Sequence, residues 1–521
     1  RRTSRSSVAA RSTASSSRCR SADSVSPRLA GRACRFPEPG STLVNDIHSQ
    51  LNATRVDRVV RADSLEALRR VVGSARGEGK GISITAGRHA MGGQQFGSGT
   101  VLLDLTAMNR VLRFDADKGQ IEVEAGIQWP ALIGYLLREQ SGRRSQWGII
   151  QKQTGADRLS LGGALSANVH GRGLAFKPFI QDVESFRLVD AQGVSRRCDR
   201  RENAELFRLA IGGYGLFGII ASVTLRLAPR EKIERVVQVI PVEDLMPAFE
   251  KRIAEGFRFG DFQYATDESS DDFLRKGVFS CYRPVDEGTP VREGGKELAE
   301  EDWRRLLYLS HVDKKRAFEA YATYYLSTSG QIYWSDTHQL SLYIDNYHQW
   351  LDQRLGATER ATEMITEIYV PGSALVRFLH EASDDFRRNN VNVIYGTIRL
   401  IERDDESFLA WAKEPYACVI FNLHVVHARP GLERAARDFS RLIDLAIRYG
   451  GSYYLTYHRW ATRAQLEVCY PSSPSFSGSS GNMTPRSGSR ATGTATTRRC
   501  SSPSRSSVPR APLPAQGGPG R

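Results

Sequence analysis

The chain has 521 residues, 40% of them hydrophobic and 25% charged, with a formal net charge of +14. That length allows two or three domains with large cores. The charge sits in the ends: residues 1–40 and 471–521 carry +7 each, which leaves residues 41–470 neutral and excludes a nucleic-acid partner for them.

Both ends are rich in Ser, Arg, Pro and Gly, lack Lys, and are expected to be disordered. The N-terminal residues show no apolar signal-type region, and no apolar run in the chain reaches the ~18 residues of a membrane span. Seven scattered cysteines without a CxxC pair predict free thiols in a reducing, cytoplasmic setting, with neither a disulfide frame nor a metal site.

The pattern turns globular at Asn45. Asp63 or Ser64 caps a predicted helix whose Leu65, Leu68, Val71, Val72 and Ala75 fall at helical spacing, stopping near Gly77. A short strand over 82–84 leads into a glycine turn, 87–93. Strands follow over 101–105 and 121–124, the second half-exposed by its alternation. Pro130 suits the first turn of a helix running to Leu137. A second glycine-rich stretch occupies 155–173, and a third, 212–218, enters an alternating strand over 219–227. Beyond Pro229 these motifs stop. Strands over 236–242, 395–401 and 419–426 alternate with charge-laced helical stretches, and a helix is expected over 432–449. The mixture predicts an α+β fold; the GxGxxG spacing of a Rossmann unit is absent.

The glycine-rich stretches read TAGRHAMGGQQFGSG (85–99), GADRLSLGGALSANVHGRG (155–173) and GGYGLFG (212–218). Such glycines allow positive φ and close approach of a ligand to the main chain, and their exposed N–H groups form concavities for anions such as pyrophosphate. Together, in this order, they closely resemble the flavin domain of the vanillyl-alcohol oxidase family, the PCMH-type FAD-binding fold, with alditol and sugar-lactone oxidases the most similar members. The resemblance spans about 40–470. It implies a two-subdomain FAD-binding domain over 41–230, an α+β substrate or cap domain over 231–430, and a return to the FAD domain over 431–470.

The same resemblance assigns a cofactor site. Gly87, Arg88, Ala90, Met91, Gly92 and Gly93 would form the first pyrophosphate loop. Gly155, Ser160, Gly162, Gly163, Ser166, Asn168 and His170 would line the other side of the flavin, with Gly171 and Gly173 giving clearance. Gly218, Ile219 and Ile220 would meet the adenine or ribose. His89 stands where relatives bond a histidine covalently to the flavin 8α methyl; the alternative is a turn histidine bonded to backbone. No cysteine lies between Cys34 and Cys198, so a second covalent link of the cysteine type is excluded.

On the substrate side, Glu367 in TEIYVP and Arg399 in GTIRLIERDD resemble the family's strand glutamate and arginine. His424 and His427, three apart on one strand, point to opposite faces, so at most one faces a pocket. His458 in YHRW falls where alditol-oxidising relatives carry a histidine–tryptophan pair, and Lys413 is a candidate cation for polarising the substrate oxygen. For each of these, a satisfied structural polar group is the competing reading. The implied activity is oxidation of a CH–OH group of a polyol, sugar or aldonolactone by hydride transfer to flavin N5. Val169, next to His170, occupies a place where a small residue admits oxygen in relatives, so the electron acceptor is oxygen or another compound. The alternatives are a C=C reductase of the sterol Δ24-reductase type, a lipid-linked sugar oxidase, and a flavin-free binding relic.

After Pro471 the composition changes abruptly. Back-translating residues 476–497 with the frame moved by one base permits LGLKREYDPEERFQSDWYRHY, which looks like the family's usual C-terminal segment. A frameshift near 471–476 is therefore expected.

Overall fold

The computed structural model describes residues 41–472, apart from 292–293, 342–343 and 345. The two ends, and with them nearly all of the expected frameshift, lie outside the described residues.

A short antiparallel pair, β1 (Leu43–Val44) and β2 (Thr54–Arg55), precedes a parallel three-stranded sheet. That sheet runs β3-β5-β4, from β3 (Arg58–Arg61), β4 (Ile82–Thr85) and β5 (Val101–Asp104). Parallel neighbours need a crossover, and α1 (Leu65–Gly77) supplies it. Ser64, rather than Asp63, is the cap: its side chain accepts from Ala67 N. Leu68, Val72 and Ala75 form the buried stripe of α1.

The second sheet comprises β6 (Val111–Asp115), β7 (Gln120–Glu124), β8 (Trp147–Ile149), β9 (Val183–Val189), β10 (Ser195–Cys198) and β11 (Ile219–Pro229). Its order is β10-β9-β11-β7-β6, with β8 paired to the end of β11. The helices α2 (Trp129–Glu139), α3 (Leu161–Ala167) and α4 (Ala204–Ala210) belong to this half. Pro130 stands in the first turn of α2, where its missing N–H costs no hydrogen bond.

The third sheet has eight strands in the order β15-β12-β14-β13-β17-β18-β16-β19. These are β12 (Lys232–Pro241), β13 (Phe259–Tyr264), β14 (Lys276–Pro284), β15 (Ile332–Trp334), β16 (Ala361–Val370), β17 (Val393–Ile401), β18 (Tyr416–Val426) and β19 (Ser452–Tyr453). The helices of this half are α5 (Leu245–Ala254), α6 (Glu300–Val312), α7 (Lys314–Ser327), α8 (Tyr347–Leu355), α9 (Leu375–Asn389), α10 (Arg429–Arg448) and α11 (Arg463–Cys469). The mixture of helix and largely antiparallel sheet agrees with the predicted α+β class.

The two faces of β16 have different neighbours. Thr366 bonds His458, whose ring lies tilted against Phe439 of α10, whereas the face carrying Glu363 and Glu367 looks the other way. The segment 431–470, expected to return to the first half, packs α10 on β16 and β18 and adds β19 beside β16. Residues 454–456 do touch the glycine loops: Gly92 N donates to Thr456 O, Gln94 Nε2 to Leu455 O, and Tyr454 OH to Ala167 O.

Among the described residues no helix is long and apolar enough to cross a membrane. The described cysteines, Cys198, Cys281, Cys418 and Cys469, are buried free thiols.

Candidate active site

The first glycine loop leaves β4 and turns at once. Arg88 takes φ 58° and Gly93 φ 76°, so the loop reverses within a few residues. Gly87 is required by crowding: a Cβ there would lie 2.6 Å from Arg158 O and 2.7 Å from the His89 ring. Gly87→Ala is therefore expected to push the two glycine loops apart and cost ~1–3 kcal/mol. A thermal melt beside the parent protein, with bound flavin measured, checks this.

His89 is 9% exposed, and its Nδ1 lies 2.8 Å from Nε2 of His48. Burial, and then the His48 charge it would have to face, hold the His89 imidazole well below its usual pKa. His48 is likewise depressed, to about 3, by burial and then by His348. The His89 ring is thus neutral, the state in which an imidazole is a nucleophile.

The second loop is built around α3. Ser160 caps it by accepting from Gly163 N at 3.3 Å, and Ser166 Oγ donates to Gly162 O. Gly162 lets the helix approach the backbone just beyond β7, since a Cβ there would meet the Ala125 Cβ at 2.8 Å. Asn168 ends α3 at φ 48° and is fixed by Asp404 Oδ2 (2.9 Å) and Ile180 N (3.0 Å). Gly155 N donates to Ser341 Oγ, and Gly171 N donates to Gln151 Oε1. Gly173 is bridged to Phe259 of β13. The third stretch closes on this loop, with Gly212 N donating to Leu165 O and Tyr214 N to Ser166 O. Gly218 then leads into Ile219 and Ile220, whose side chains pack into the cores.

His170 carries the second loop onto the large sheet. Its Nδ1 faces Gly171 O at 3.1 Å, and its Nε2 lies 2.9 Å from Glu367 Oε2. Glu367 Oε2 also accepts from Tyr369 OH at 2.9 Å, and Oε1 from Tyr457 OH at 2.7 Å. Burial would raise the Glu367 pKa. His170, then Arg399 and Tyr457, outweigh it and hold the carboxyl at about 2.

Antiparallel register explains the grouping, because residues two apart share a face and direct partners share it too. Tyr369 on β16 pairs with Cys418 on β18, which pairs with Arg399 on β17. Arg399 is 7% exposed, and its Nε has no hydrogen-bond partner among the described residues. Nearby, the fully buried Lys152 Nζ pairs with Asp157 Oδ1 at 2.7 Å, and burial lowers its pKa.

Of the substrate-side candidates, Glu367 and Arg399 come together. His424 bonds Glu363 instead, and His427 bonds Thr362 from the opposite face, as their spacing required. His458 lies behind the sheet, between Thr366 and Phe439. Lys413 stands in the turn before β18, its charge acting on Cys469. Sequence reasoning missed Tyr369, Tyr457, Cys418 and Lys152. Tyr369 alone had a local signal, two residues beyond Glu367 on one strand.

A family model described as an FAD binding domain matches residues 56–199, a span that includes the first two glycine loops. The chain is similar to L-gulonolactone oxidase of Bos taurus, 26% identical over 209 residues, which are 40% of this chain and 46% of that protein. It is also similar to mitochondrial L-galactono-1,4-lactone dehydrogenase 1 of Oryza sativa subsp. japonica, 27% identical over 218 residues, or 41% and 36% of the two chains. A longer alignment joins it to L-gulono-1,4-lactone dehydrogenase of Mycobacterium tuberculosis (strain ATCC 25618 / H37Rv), 23% identical over 418 residues, 79% of this chain and 89% of that one. The chain spans less than half the length of the first relatives it matches. The residues present fit the cofactor: a glycine turn with no room for a Cβ and a neutral buried imidazole beside it. The chain therefore carries an FAD-binding domain over residues 56–199, similar to that of the sugar-lactone oxidases and dehydrogenases.

Proposed function

We propose that this chain is an FAD-dependent oxidoreductase of the aldonolactone oxidase or dehydrogenase type, oxidising a CH–OH group of a sugar lactone, sugar or polyol. In this reading residues 41–230 hold the cofactor, residues 231–430 form the substrate side, and residues 454–457 tie the two. Gly87 to Gly93 and Gly155 to Gly173 would cradle the FAD, and His89 would be its covalent anchor. When bound, FAD supplies the two-electron acceptor for the substrate's hydride.

The carrying observation is the buried cluster of Glu367, Arg399, His170 and Tyr457, in which a loop of the cofactor half meets the large sheet. Arg399 is the substrate-binding group: its Nε donates to the oxygen being oxidised and lowers that hydroxyl's pKa. Glu367 stays ionised, orients Tyr457 by accepting from its hydroxyl at Oε1, and holds the Arg399 charge in place electrostatically. His170 Nε2 holds the other carboxylate oxygen and keeps the carboxylate plane fixed. The surrounding aromatics, Tyr369, Trp411 and Tyr454, pack with ring centroids 4.7–6.4 Å apart and exclude water from one side of the cluster.

The test is anaerobic mixing of the flavoprotein with aldonolactones, aldoses and alditols while the yellow flavin absorbance is followed. Bleaching by one of these classes supports the reading. Bleaching by NADPH alone, with turnover of a C=C substrate, would move the function to the reductase alternative.

A further inference from the structure

A second carboxylate on the same strand gathers histidines. Glu363 precedes Glu367 by four residues on β16, so the two share a face ~13 Å apart. Glu363 Oε1 lies 3.1 Å from Nδ1 of His424, its register partner on β18, and 3.3 Å from Nε2 of His311 in the last turn of α6. Its Oε2 is 3.1 Å from Nδ1 of His348 on α8. The side chains are closed off from solvent except at His424: 1% exposed for Glu363, 4% for His311 and His348, and 19% for His424.

Hydrogen bonds to Glu363 place His348 and His424 but leave His311 unexplained. His311 Nε2 is buried and meets no hydrogen-bond partner of good geometry among the described residues, although Glu363 Oε1 is 3.3 Å away. Two ring nitrogens converge on one carboxylate oxygen, and their rings stand 5.0 Å apart at 82°. Ligands at ~2.0–2.1 Å from a tetrahedral ion are ~3.3 Å from one another, which matches the donor separations of 3.1 and 3.3 Å. All three donor atoms lie within 4.8 Å of one another.

We propose that His311 Nε2, Glu363 Oε1 and His424 Nδ1 bind one divalent transition-metal ion of the zinc type, leaving a fourth position open to water or another oxygen ligand. Two imidazole nitrogens and one carboxylate oxygen form a borderline donor set suited to Zn2+ and poorly suited to Mg2+ or Ca2+, which want all-oxygen shells. His348 donates to the second carboxylate oxygen and so orients the ligand. The ion ties α6 to β16 and β18, and it lies apart from Glu367 on the strand.

The test uses the flavoprotein without a histidine tag, dialysed free of loose metal, with metal and flavin contents measured separately. About one Zn2+ per chain is expected, and chelator-stripped protein given Co2+ should show the strong visible absorption of a tetrahedral site. His311→Ala and Glu363→Gln should lose both signals, while His427→Ala, on the other strand face, should keep them. A folded, flavin-loaded protein that holds no Zn2+ and gives no Co2+ spectrum overturns the proposal, as does full retention of metal by both ligand variants. Should the variants fail to fold, the Co2+ titration of the unmodified protein decides alone.

Discussion

Arg399→Met lowers kcat/KM by about 10²–10³-fold while FAD content stays at the parent level; this is the largest effect expected of any single substitution on turnover. The reason is the state of the arginine before substrate arrives. It is 7% exposed, its Nε lacks a hydrogen-bond partner among the described residues, and its charge acts on Glu367. Burying a guanidinium donor with nothing to bond is costly, so the position makes sense as one kept for an incoming oxygen. Methionine preserves much of the volume and removes the donors. Arg399→Lys should recover part of the loss, since it restores charge without the planar fork. Stopped-flow measurement of flavin reduction separates the roles. A slower reductive step with unchanged melting temperature fits substrate polarisation. A lower melting temperature with an unchanged reductive step would make Arg399 a purely structural counter-ion.

The second large effect is loss of stability on mild acidification. His458 is buried and His48 half-buried, and desolvation depresses both from 6.5 to about 3, with His348 adding to the effect at His48. In the folded protein they stay neutral between these limits, while the unfolded chain takes up protons below pH 6.5. The unfolded state therefore binds more protons, and stability falls as pH drops from 6.5 towards 3. At pH 5 each histidine costs ~2 kcal/mol, so the pair removes ~4 kcal/mol of a total that is typically 5–15 kcal/mol. Glu367 acts in a lower window. Its carboxyl is held at about 2 instead of 4.5, so the stability it contributes is complete above pH 4.5 and is lost as pH falls through about 2. Urea unfolding at pH 7.5, 6 and 5 checks the histidine term. A midpoint that holds steady down to pH 5 would show that neither ring is held neutral in solution.

What was legible in the sequence was local. The glycine loops announced themselves because reversal within a few residues and main-chain crowding exclude a Cβ, as at Gly87 against Arg158. The stripe Leu68, Val72 and Ala75 followed from helical spacing, which left the cap between Asp63 and Ser64. Strand alternation placed His424 and His427 on opposite faces without any knowledge of the partner strand. The site itself depends on register between distant segments. His170 and Glu367 meet across 197 positions, and the spacing of neither motif encodes that contact. The assignment of His424 to chemistry beside Glu367 depended equally on register, and β18 sets it opposite Glu363, four residues away. Tyr457 was overshadowed by its neighbour His458. On that segment it is the tyrosine that reaches Glu367, while the histidine turns behind the sheet to Thr366.

The most direct test is to purify the protein, precipitate it with acid, and follow the flavin. Stoichiometric FAD that pellets with the protein, and moves to the supernatant on His89→Ala, is the predicted result. Stoichiometric FAD already in the supernatant of the parent protein would remove the covalent anchor and leave the cofactor site standing. A well-folded protein with no flavin in either fraction would contradict the central claim.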